Sequence, residues 1–480
     1  GTLWTAVAAK KPSWAKKGEH LSALPAIKRL WPTLFKDEVG KALADNDDGS
    51  IKQIDRFVVS THTMALARQL ESTLGKGVPD ALQAKVQGKP LVALPRKLAK
   101  SIYKAGKNAD IIARIPGWLE QAREADDNGD ALAEAQRSIS ELLGCKAETY
   151  YSLIMMDGDR MGAILSGDQQ TSTVISYLQS FHPQVQKGFA ERASKLPALK
   201  LYGDQPRAIS PNRHLAISGA LNDFSQVVVR HVVEEEHLGR VIYAGGDDVL
   251  AMLPVADMLP AMQRLRHAYS GTVPADEQVD WGELKQCRTL VCKGGFAWLN
   301  GRLMRMMGEH ATASCGAIVA HHQAPLGAVL RELRAAESRA KNDGGRNAFS
   351  ITIVKRSGGV LHLTEKWGAA LQTLVALREF LQSEDVSRRA VYHTLEWLDE
   401  QSMPVDAFAS GMAQALLAYQ LDRQANGEAT RQVPALVDEL VKLAGEWPAD
   451  KRIDKLRNFL SVAEFLARET RTDNAKGDAE

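Results

Sequence analysis

The sequence contains little cysteine and no long apolar segment. Its four cysteines, among 480 residues, have a spacing that fits neither a disulfide framework nor a four-ligand zinc site. Cys287 and Cys292 would provide half of a metal site, but no second pair follows. There is no run of about eighteen apolar residues and no cationic leader before an apolar stretch, which argues against membrane insertion or secretion. The sequence therefore predicts a cytoplasmic protein with reduced thiols and no membrane partner.

Net charge is also nearly absent. The chain carries 60 basic and 58 acidic residues, a formal charge of +2, so its average charge does not indicate a polyanionic partner. Residues 1–36 are locally basic and contain Glu19 as their single acid. This asymmetry is compatible with nucleic acid nearby and equally with a solvated basic helix face.

The length predicts about three domains. Residues 1–146 and 359–480 have the apolar spacing of helices, whereas 147–358 alternates between strand and helix patterns, with a glycine-containing insertion near 275–310. Residues 45–49 resemble the opening of a calcium loop but lack a glutamate at its twelfth position, so they predict a polar loop. The last dozen residues are polar and predict a disordered terminus.

The central feature is an apolar run, residues 241–254, that is interrupted by Gly245–Asp248. Glycine and aspartate favour a tight turn, so the run predicts two strands of a hairpin. Adjacent carboxylates repel each other, and a hard cation such as Mg²⁺ relieves that repulsion. A solvated turn without chemistry is the alternative interpretation.

The order of elements in 150–355 predicts an elaborated ferredoxin-like core. In such a sheet the first strand, which ends at Asp157, lies beside the hairpin, so its carboxylate would approach Asp247 and Asp248. Three carboxylates at one edge suit two-metal nucleotidyl transfer, and Gly158 would let phosphates approach backbone N–H groups. Lys341 would supply a cation for the distal phosphates. Its alternative role is that of an exposed lysine near a helix C-terminus.

These residues carry a resemblance to cyclase-type palm domains, the group that includes GGDEF diguanylate cyclases. The matching segments occur in the same order: Asp157–Asp159, Ala244–Asp248, Ser314–Gly316, Ala336–Lys341 and Gly345–Asn347. The fourth letter of the GGDEF motif is an aspartate here and no phenylalanine follows, which points away from diguanylate cyclases. The chain instead resembles the large subunit of type III CRISPR effector complexes of the Cmr type (III-B), and shorter matches extend this likeness over most of its length.

The resemblance implies an α+β protein with a palm domain at 147–358, flanked by helical domains at 1–146 and 359–480. It implies that the palm binds ATP with Mg²⁺ or Mn²⁺ and makes cyclic oligoadenylates by 3′–5′ nucleotidyl transfer when target RNA is bound. The implied partners are the other subunits of the complex, the guide crRNA and the target RNA.

The resemblance also assigns roles to individual residues. The implied catalytic residues and metal ligands are Asp157, Asp247 and Asp248, with the Gly158 carbonyl completing the metal shell. The implied nucleotide-binding residues are Gly158, Arg160, Met161, Gly162, Gly245, Gly246 and Lys341. Two roles stay open: Asp159 would satisfy backbone donors or join the site, and Ser218 would approach a nucleobase or be a buried helix serine.

The chain also departs from the resembled family. The family's His-Asp nuclease dipeptide is absent, and neither a first palm domain nor a cysteine-ligated zinc site is recognisable. DNase activity is therefore not expected, and the chain on its own is expected to bind nucleotide but turn over poorly. A non-catalytic scaffold that contacts the guide–target duplex and neighbouring subunits is the alternative function.

Overall fold

The computed structural model divides the chain into two compact units, residues 1–59 and residues 60–480. The residues that it describes are 2–10, 14–15, 18–31, 58–74, 78–89, 92–105, 109–125, 130–167, 175–207, 209–273, 289–387, 389–400, 408 and 411–470. In the first unit, α1 (Thr2–Lys10) and residues 23–31 are helical. The predicted polar loop at 45–49, the predicted disordered terminus and Cys287 lie outside the described residues.

The second unit begins with helices that pack around their own apolar cluster. They are α2 (Thr61–Ser72), α3 (Asp80–Val86), α4 (Arg96–Ala105), α5 (Ala109–Ala125) and α6 (Asp130–Leu143). The Ser60 side chain caps α2 by accepting a hydrogen bond from the Thr63 backbone N–H at 3.1 Å. Leu66, Ile112 and Ile139 are buried in this cluster, so the helices predicted in this part of the sequence do form. The boundary of the predicted domain at residue 146 stays a prediction.

A mixed sheet follows these helices. Within the described residues it has the order β2-β3-β1-β7-β8-β9. Its strands are β1 (Tyr150–Gly158), β2 (Arg240–Gly245), β3 (Asp248–Pro254), β7 (Ala313–His321), β8 (Ala348–Val354) and β9 (Val360–Lys366), and a smaller sheet consists of β4 (Val291–Lys293), β5 (Phe296–Leu299) and β6 (Arg302–Arg305). The smaller sheet lies in the segment that the sequence indicated only as an insertion.

The helices between the strands complete the palm. They are α7 (Met161–Ser166), α8 (Pro183–Ala193), α9 (Pro197–Asp204), α10 (Pro211–Asp223), α11 (Val255–Ser270) and α12 (Leu326–Lys341), and α10 continues with π-helical turns as far as Glu236. Strand β1 pairs antiparallel with both β3 and β7, so β2, β3, β1 and β7 have the ferredoxin-like order. The predicted α+β palm fold is therefore confirmed.

One sequence prediction is wrong: the chain does not become helical at residue 359. Strand β9 pairs antiparallel with β8 along its whole length, from Ala348 opposite Lys366 to Val354 opposite Val360. Only Leu363 and Glu365 of β9 are buried, because β9 is an edge strand. Its sequence therefore lacks the continuous apolar run of β7, and the sheet extends beyond the predicted boundary at 358.

The C-terminal helices pack on the sheet itself. They are α13 (Ala369–Gln382), α14 (Ala390–Glu400), α15 (Met412–Asp422), α16 (Gly427–Gly445) and α17 (Arg452–Glu469). Phe459 and Phe465 of α17 belong to the same buried cluster as Ile154 of β1 and Phe349 of β8. Burial of such aromatic side chains stabilises each by roughly 2 kcal/mol or more, so the sheet and the C-terminal helices share one core.

The thiols that the structure describes are buried in the protein. Cys145, Cys292 and Cys315 are buried thiols, and burial raises the pKa of the Cys315 thiol well above its usual range. Among the described residues, none of the helices is both long and apolar enough to cross a bilayer.

The buried Glu148, just before β1, predicts a pH-dependent stability. Burial, with a smaller contribution from Glu469, raises the pKa of its carboxyl from 4.5 to about 8. The stability that accompanies the neutral carboxyl is fully present below pH 4.5 and is lost as the pH rises to about 8. We expect Glu148→Gln to recover roughly 3 kcal/mol of unfolding free energy at pH 8 relative to pH 5, measured by urea unfolding. The exposed Glu141→Gln is the control, and equal pH slopes for wild type and Glu148→Gln would contradict the prediction.

Candidate functional site

The three predicted carboxylates lie at one edge of the sheet. In β1, Met156 is opposite Val249 of β3, so Asp157 and Asp248 occupy the next positions on these neighbouring strands. Gly245 pairs with Asp248, which leaves Gly246 and Asp247 at the tip of the hairpin. Gly246 has a φ of +63°, a left-handed conformation that glycine adopts without strain. The hairpin that the sequence predicted is therefore present at the predicted residues.

Gly158 brings the end of β1 into close contact with the hairpin. A Cβ atom at this position would lie 2.4 Å from the Tyr269 hydroxyl and 2.8 Å from Asp247 Oδ2. Burial raises the pKa of Tyr269 well above its usual range, and its neutral hydroxyl donates to Met161 Sδ at 3.3 Å. Only glycine fits between these groups, so Gly158 sets the distance between β1 and Asp247.

The hairpin acids resist ionisation. Burial raises the pKa of Asp247, and hydrogen bonds from its own backbone and that of Gly158 oppose this shift. Burial and then repulsion from Asp247 raise the pKa of Asp248. Each shift means that the folded protein disfavours the charged carboxylate, so a bound cation would be favoured there.

The donor chemistry of this edge fits a hard divalent cation. Carboxylate and carbonyl oxygens are the ligands that Mg²⁺ prefers, and Asp157, Asp247, Asp248 and the Gly158 backbone present such oxygens. In the described ranges, however, no three Asp, Glu, His or Cys side chains are drawn together closely enough to hold a metal ion. The site therefore has suitable oxygen donors, but among the described residues their side chains do not lie close enough together to form a complete metal-coordination sphere.

The turn after β1 is shaped by Arg160. This residue has φ 56° and ψ 33°, a left-handed conformation, and it precedes α7. A Cβ atom at Gly162 would meet nothing within 4 Å. The space beside Gly162 is therefore open, as a phosphate-binding role for the turn at Arg160, Met161 and Gly162 would require.

Lys341 and Glu337 extend the site from helix α12. Lys341 Nζ forms ion pairs with Asp157 and, at 2.7 Å, with Glu337 Oε1. The predicted approach of Lys341 to this edge is therefore present in the structure, and the alternative of an exposed lysine is wrong because its side chain is only 19% exposed. Glu337 was not among the predicted site residues, although its spacing of four residues from Lys341 was a signal for a shared helix face.

Helix α12 is held against β7 at Gly316. A Cβ atom there would lie 2.3 Å from the backbone nitrogen of Glu337 and 2.7 Å from its Cα. The absence of a side chain at Gly316 thus allows the helix backbone to contact the strand directly. This contact fixes where Glu337 and Lys341 leave the helix.

The Asp159 carboxylate is buried and makes hydrogen bonds within the protein. It is only 3% exposed and accepts hydrogen bonds from the Thr312 and Ser314 hydroxyls at 2.7 Å each and from the Asn347 backbone N–H at 2.8 Å. Its own backbone N–H donates to the Thr312 carbonyl at 2.8 Å. Asp159 therefore joins three segments behind the acidic edge, and only one of its three donors, the Asn347 N–H, is a backbone group of the kind that the alternative predicted.

Two further residues from the sequence analysis are Gly245 and Ser218. A Cβ atom at Gly245 would lie 2.5 Å from the Tyr243 hydroxyl, so this glycine allows the Tyr243 ring to fold over the turn. Ser218 is exposed on α10. The explanation of Ser218 as a buried helix serine is therefore wrong, and its approach to a nucleobase stays a prediction.

The sequence and the fold are similar to those of known proteins. Residues 150–283 match the family description "Cas10/Cmr2, second palm domain". The chain is 27% identical over 334 residues to CRISPR system Cmr subunit Cmr2 of Pyrococcus furiosus, covering 66% of this chain and 31% of that protein. It is 34% identical over 124 residues to the Cmr2 subunit of Saccharolobus solfataricus, covering 26% of this chain and 11% of that protein.

Solved structures support the same fold. Chains in the cryo-EM structures of type III-B Cmr-beta, in its apo state and bound to cognate target RNA, each superpose with a TM-score of 0.57 at 15% identity. These matches cover 88% of this chain and 48% and 49% of the respective neighbours. The chain thus spans about a third of the Pyrococcus relative and about half of these neighbours. Residues 150–283 thus resemble the second palm domain of Cas10/Cmr2 proteins, and the chain as a whole is similar in sequence and fold to Cmr2 subunits of type III-B complexes.

Proposed function

We propose that the chain is part of a type III-B CRISPR effector complex, in which its palm binds ATP with Mg²⁺ or Mn²⁺ and synthesises cyclic oligoadenylates when target RNA is bound. The observation that carries this proposal is the position of Asp157, Asp247 and Asp248 on adjoining strand ends, with Lys341 contacting the first of them. An acidic edge with one cation from a neighbouring helix suits phosphoryl chemistry.

The proposed reaction joins two ATP molecules. The 3′ oxygen of one forms a bond to the α-phosphorus of the next, the α–β phosphoanhydride bond breaks, and pyrophosphate leaves. Repetition of this step lengthens the chain. Its terminal 3′ hydroxyl then attacks the α-phosphorus of its own 5′ triphosphate, which closes the ring and releases a last pyrophosphate, and the proton of each attacking hydroxyl passes to solvent. A bound divalent cation would lower the pKa of the attacking hydroxyl and stabilise charge on the departing pyrophosphate.

The residues of this chain would bind and orient the reactants. Asp157, Asp247 and Asp248 would hold the cation with the Gly158 carbonyl. Lys341 would donate hydrogen bonds to the triphosphate, a role that suits an ammonium with three donors. The phosphates would lie close to two backbone segments, which are Arg160, Met161 and Gly162 after β1 and the turn at Gly245 and Gly246. The glycines in these segments leave room for that approach.

The partners are proposed from the relatives. One neighbouring structure is described as Cmr-beta bound to cognate target RNA. By analogy, this chain would contact guide crRNA, target RNA and other Cmr subunits. Target RNA would then control how the palm engages ATP.

A non-catalytic scaffold is the second candidate function. It is favoured by two observations: the acids of the described residues do not converge into a three-ligand group, and Asp157 is already paired with Lys341. In that case the palm would only hold neighbouring subunits and the guide–target duplex.

The test incubates the assembled complex with ATP, Mg²⁺ and matching target RNA, and detects products by mass spectrometry. We expect cyclic oligoadenylates with ATP and matching RNA, and none with a mismatched RNA or after chelation of the metal. GTP in place of ATP is the control for base preference. Normal assembly combined with no ATP binding would reject the catalytic proposal in favour of the scaffold.

A further inference from the structure

Lys341 lies between two carboxylates that belong to different elements. Its Nζ forms an ion pair with Asp157 at the end of β1 and a second with Glu337 Oε1 at 2.7 Å, one turn earlier on its own helix. The side chains of Lys341 and Glu337 are 19% and 18% exposed, so neither ion pair is a fully solvated surface contact. An ammonium has three donors, of which one is hydrogen-bonded to Asp157, whereas the contact with Glu337 is an ion pair.

The two counterions differ in what else they are positioned to do. Asp157 stands beside Asp248 at the acidic edge, where the proposed function needs its oxygens for a divalent cation. Glu337 is fixed by its backbone, because α12 contacts β7 at Gly316 with no room for a side chain between them. Glu337 can therefore hold Lys341 whether or not Asp157 is available.

The electrostatic surroundings make this second counterion important. Glu337 is a half-buried acid, and Asp248 and Asp159 both repel its carboxylate. Lys341 forms an ion pair with Glu337, and Arg346, which lies 4.0 Å from Asp159, also attracts the Glu337 carboxylate. Burial and then this repulsion raise the pKa of Glu337, so a cation held beside its carboxylate relieves an unfavourable charge.

We propose that Glu337 is a positioning residue that keeps the Lys341 ammonium at the catalytic edge when a divalent cation takes over Asp157. Lys341 then exchanges its Asp157 contact for a phosphate oxygen of the nucleotide while its Glu337 contact persists. Asp157 and Glu337 together thus hold Lys341, the proposed triphosphate-binding residue, beside the site before the nucleotide binds. This inference rests on the proposed function, which supplies the cation and the phosphate.

The first test does not require nucleotide. An amine-reactive reagent is applied to the protein with and without Mg²⁺, and labelling of Lys341 is measured by mass spectrometry relative to the exposed Lys442. In the wild type Lys341 is expected to stay protected in both conditions. In Glu337→Gln, Mg²⁺ is expected to increase Lys341 labelling about fivefold, which corresponds to an ion pair worth about 1 kcal/mol. Glu332→Gln, on the same helix, is the matched control.

The labelling outcomes separate the parts of the inference. Equal protection of Lys341 in wild type and Glu337→Gln under both conditions would overturn it. An increase that is the same with and without Mg²⁺ would retain the Glu337 contact but overturn the exchange at Asp157. Thermal unfolding of each variant verifies that labelling reports the site and not a loss of fold.

The second test measures ATP affinity in a double-mutant cycle. Glu337→Gln is expected to weaken ATP binding about fivefold in the wild-type background and to have no further effect in Lys341→Ala, because Glu337 acts through Lys341. The same loss in both backgrounds would overturn a positioning role. If the wild type binds no ATP, the proposed function fails, and the labelling test still decides on Glu337.

Discussion

Asp247→Asn combined with Asp248→Asn is expected to abolish cyclic oligoadenylate synthesis by the assembled complex, by at least about a thousandfold. The substitution keeps the shape of both side chains but replaces two anionic oxygen donors with neutral amides. The hairpin tip would then no longer favour a divalent cation. The measurement is product formed per unit time from ATP with matching target RNA.

The same double variant is expected to fold normally. Burial raises the pKa of both carboxyls, and Asp247 further raises that of Asp248, so each charge is disfavoured in the folded protein at neutral pH. Removing both charges relieves this repulsion. The midpoint of thermal unfolding should therefore be unchanged or higher. Asp204→Asn, an exposed acid on α9, controls for the loss of a carboxylate elsewhere. Product at the wild-type rate from the double variant would reject the catalytic assignment.

The sequence was sufficient for the features that local chemistry determines. The turn between β2 and β3 follows from adjacent glycines and aspartates, and β1 and β7 follow from apolar runs between polar residues. Once these strands are placed in a ferredoxin-like order, the proximity of Asp157 to Asp248 follows from the pairing of β1 with β3. The acidic edge could therefore be predicted without the structure.

The features that the sequence did not reveal depend on contacts between distant segments. Strand β9 is an edge strand that pairs with β8. Because many of its residues are polar, its sequence lacks the apolar pattern from which a strand is predicted. Glu337 looked like an ordinary helix residue because its surroundings come from Asp248 and Asp159, on other segments. The sequence alone does not show which distant segments of the chain contact each other.

Asp159 is the clearest case of a role that only the packing could decide. By sequence, Asp159 would either satisfy backbone donors or join the site. In the structure its oxygens face inward, where they accept hydrogen bonds from Thr312, Ser314 and the Asn347 backbone. Asn347 in turn accepts from the Arg266 guanidinium at 3.0 and 2.8 Å. The Asp159 carboxylate thus ties the turn after β1 to β7, to the loop before β8 and, through Asn347, to α11.

Asp159→Ala is therefore expected to lower the free energy of unfolding by roughly 3 to 5 kcal/mol, because it leaves the buried Ser314 hydroxyl and two half-buried donors without an acceptor. Asp159→Asn should cost only about 1 to 2 kcal/mol. Its amide oxygen can still accept from Thr312 and Asn347, and its NH₂ group can donate to the Ser314 hydroxyl, which rotates to accept. Urea unfolding measures both values, with the exposed Asp343→Ala as the control. A metal ligand would give the opposite pattern: Asp159→Asn would fold as well as the wild type and lose its activity, whereas a structural acceptor keeps most activity in Asp159→Asn and loses stability in Asp159→Ala.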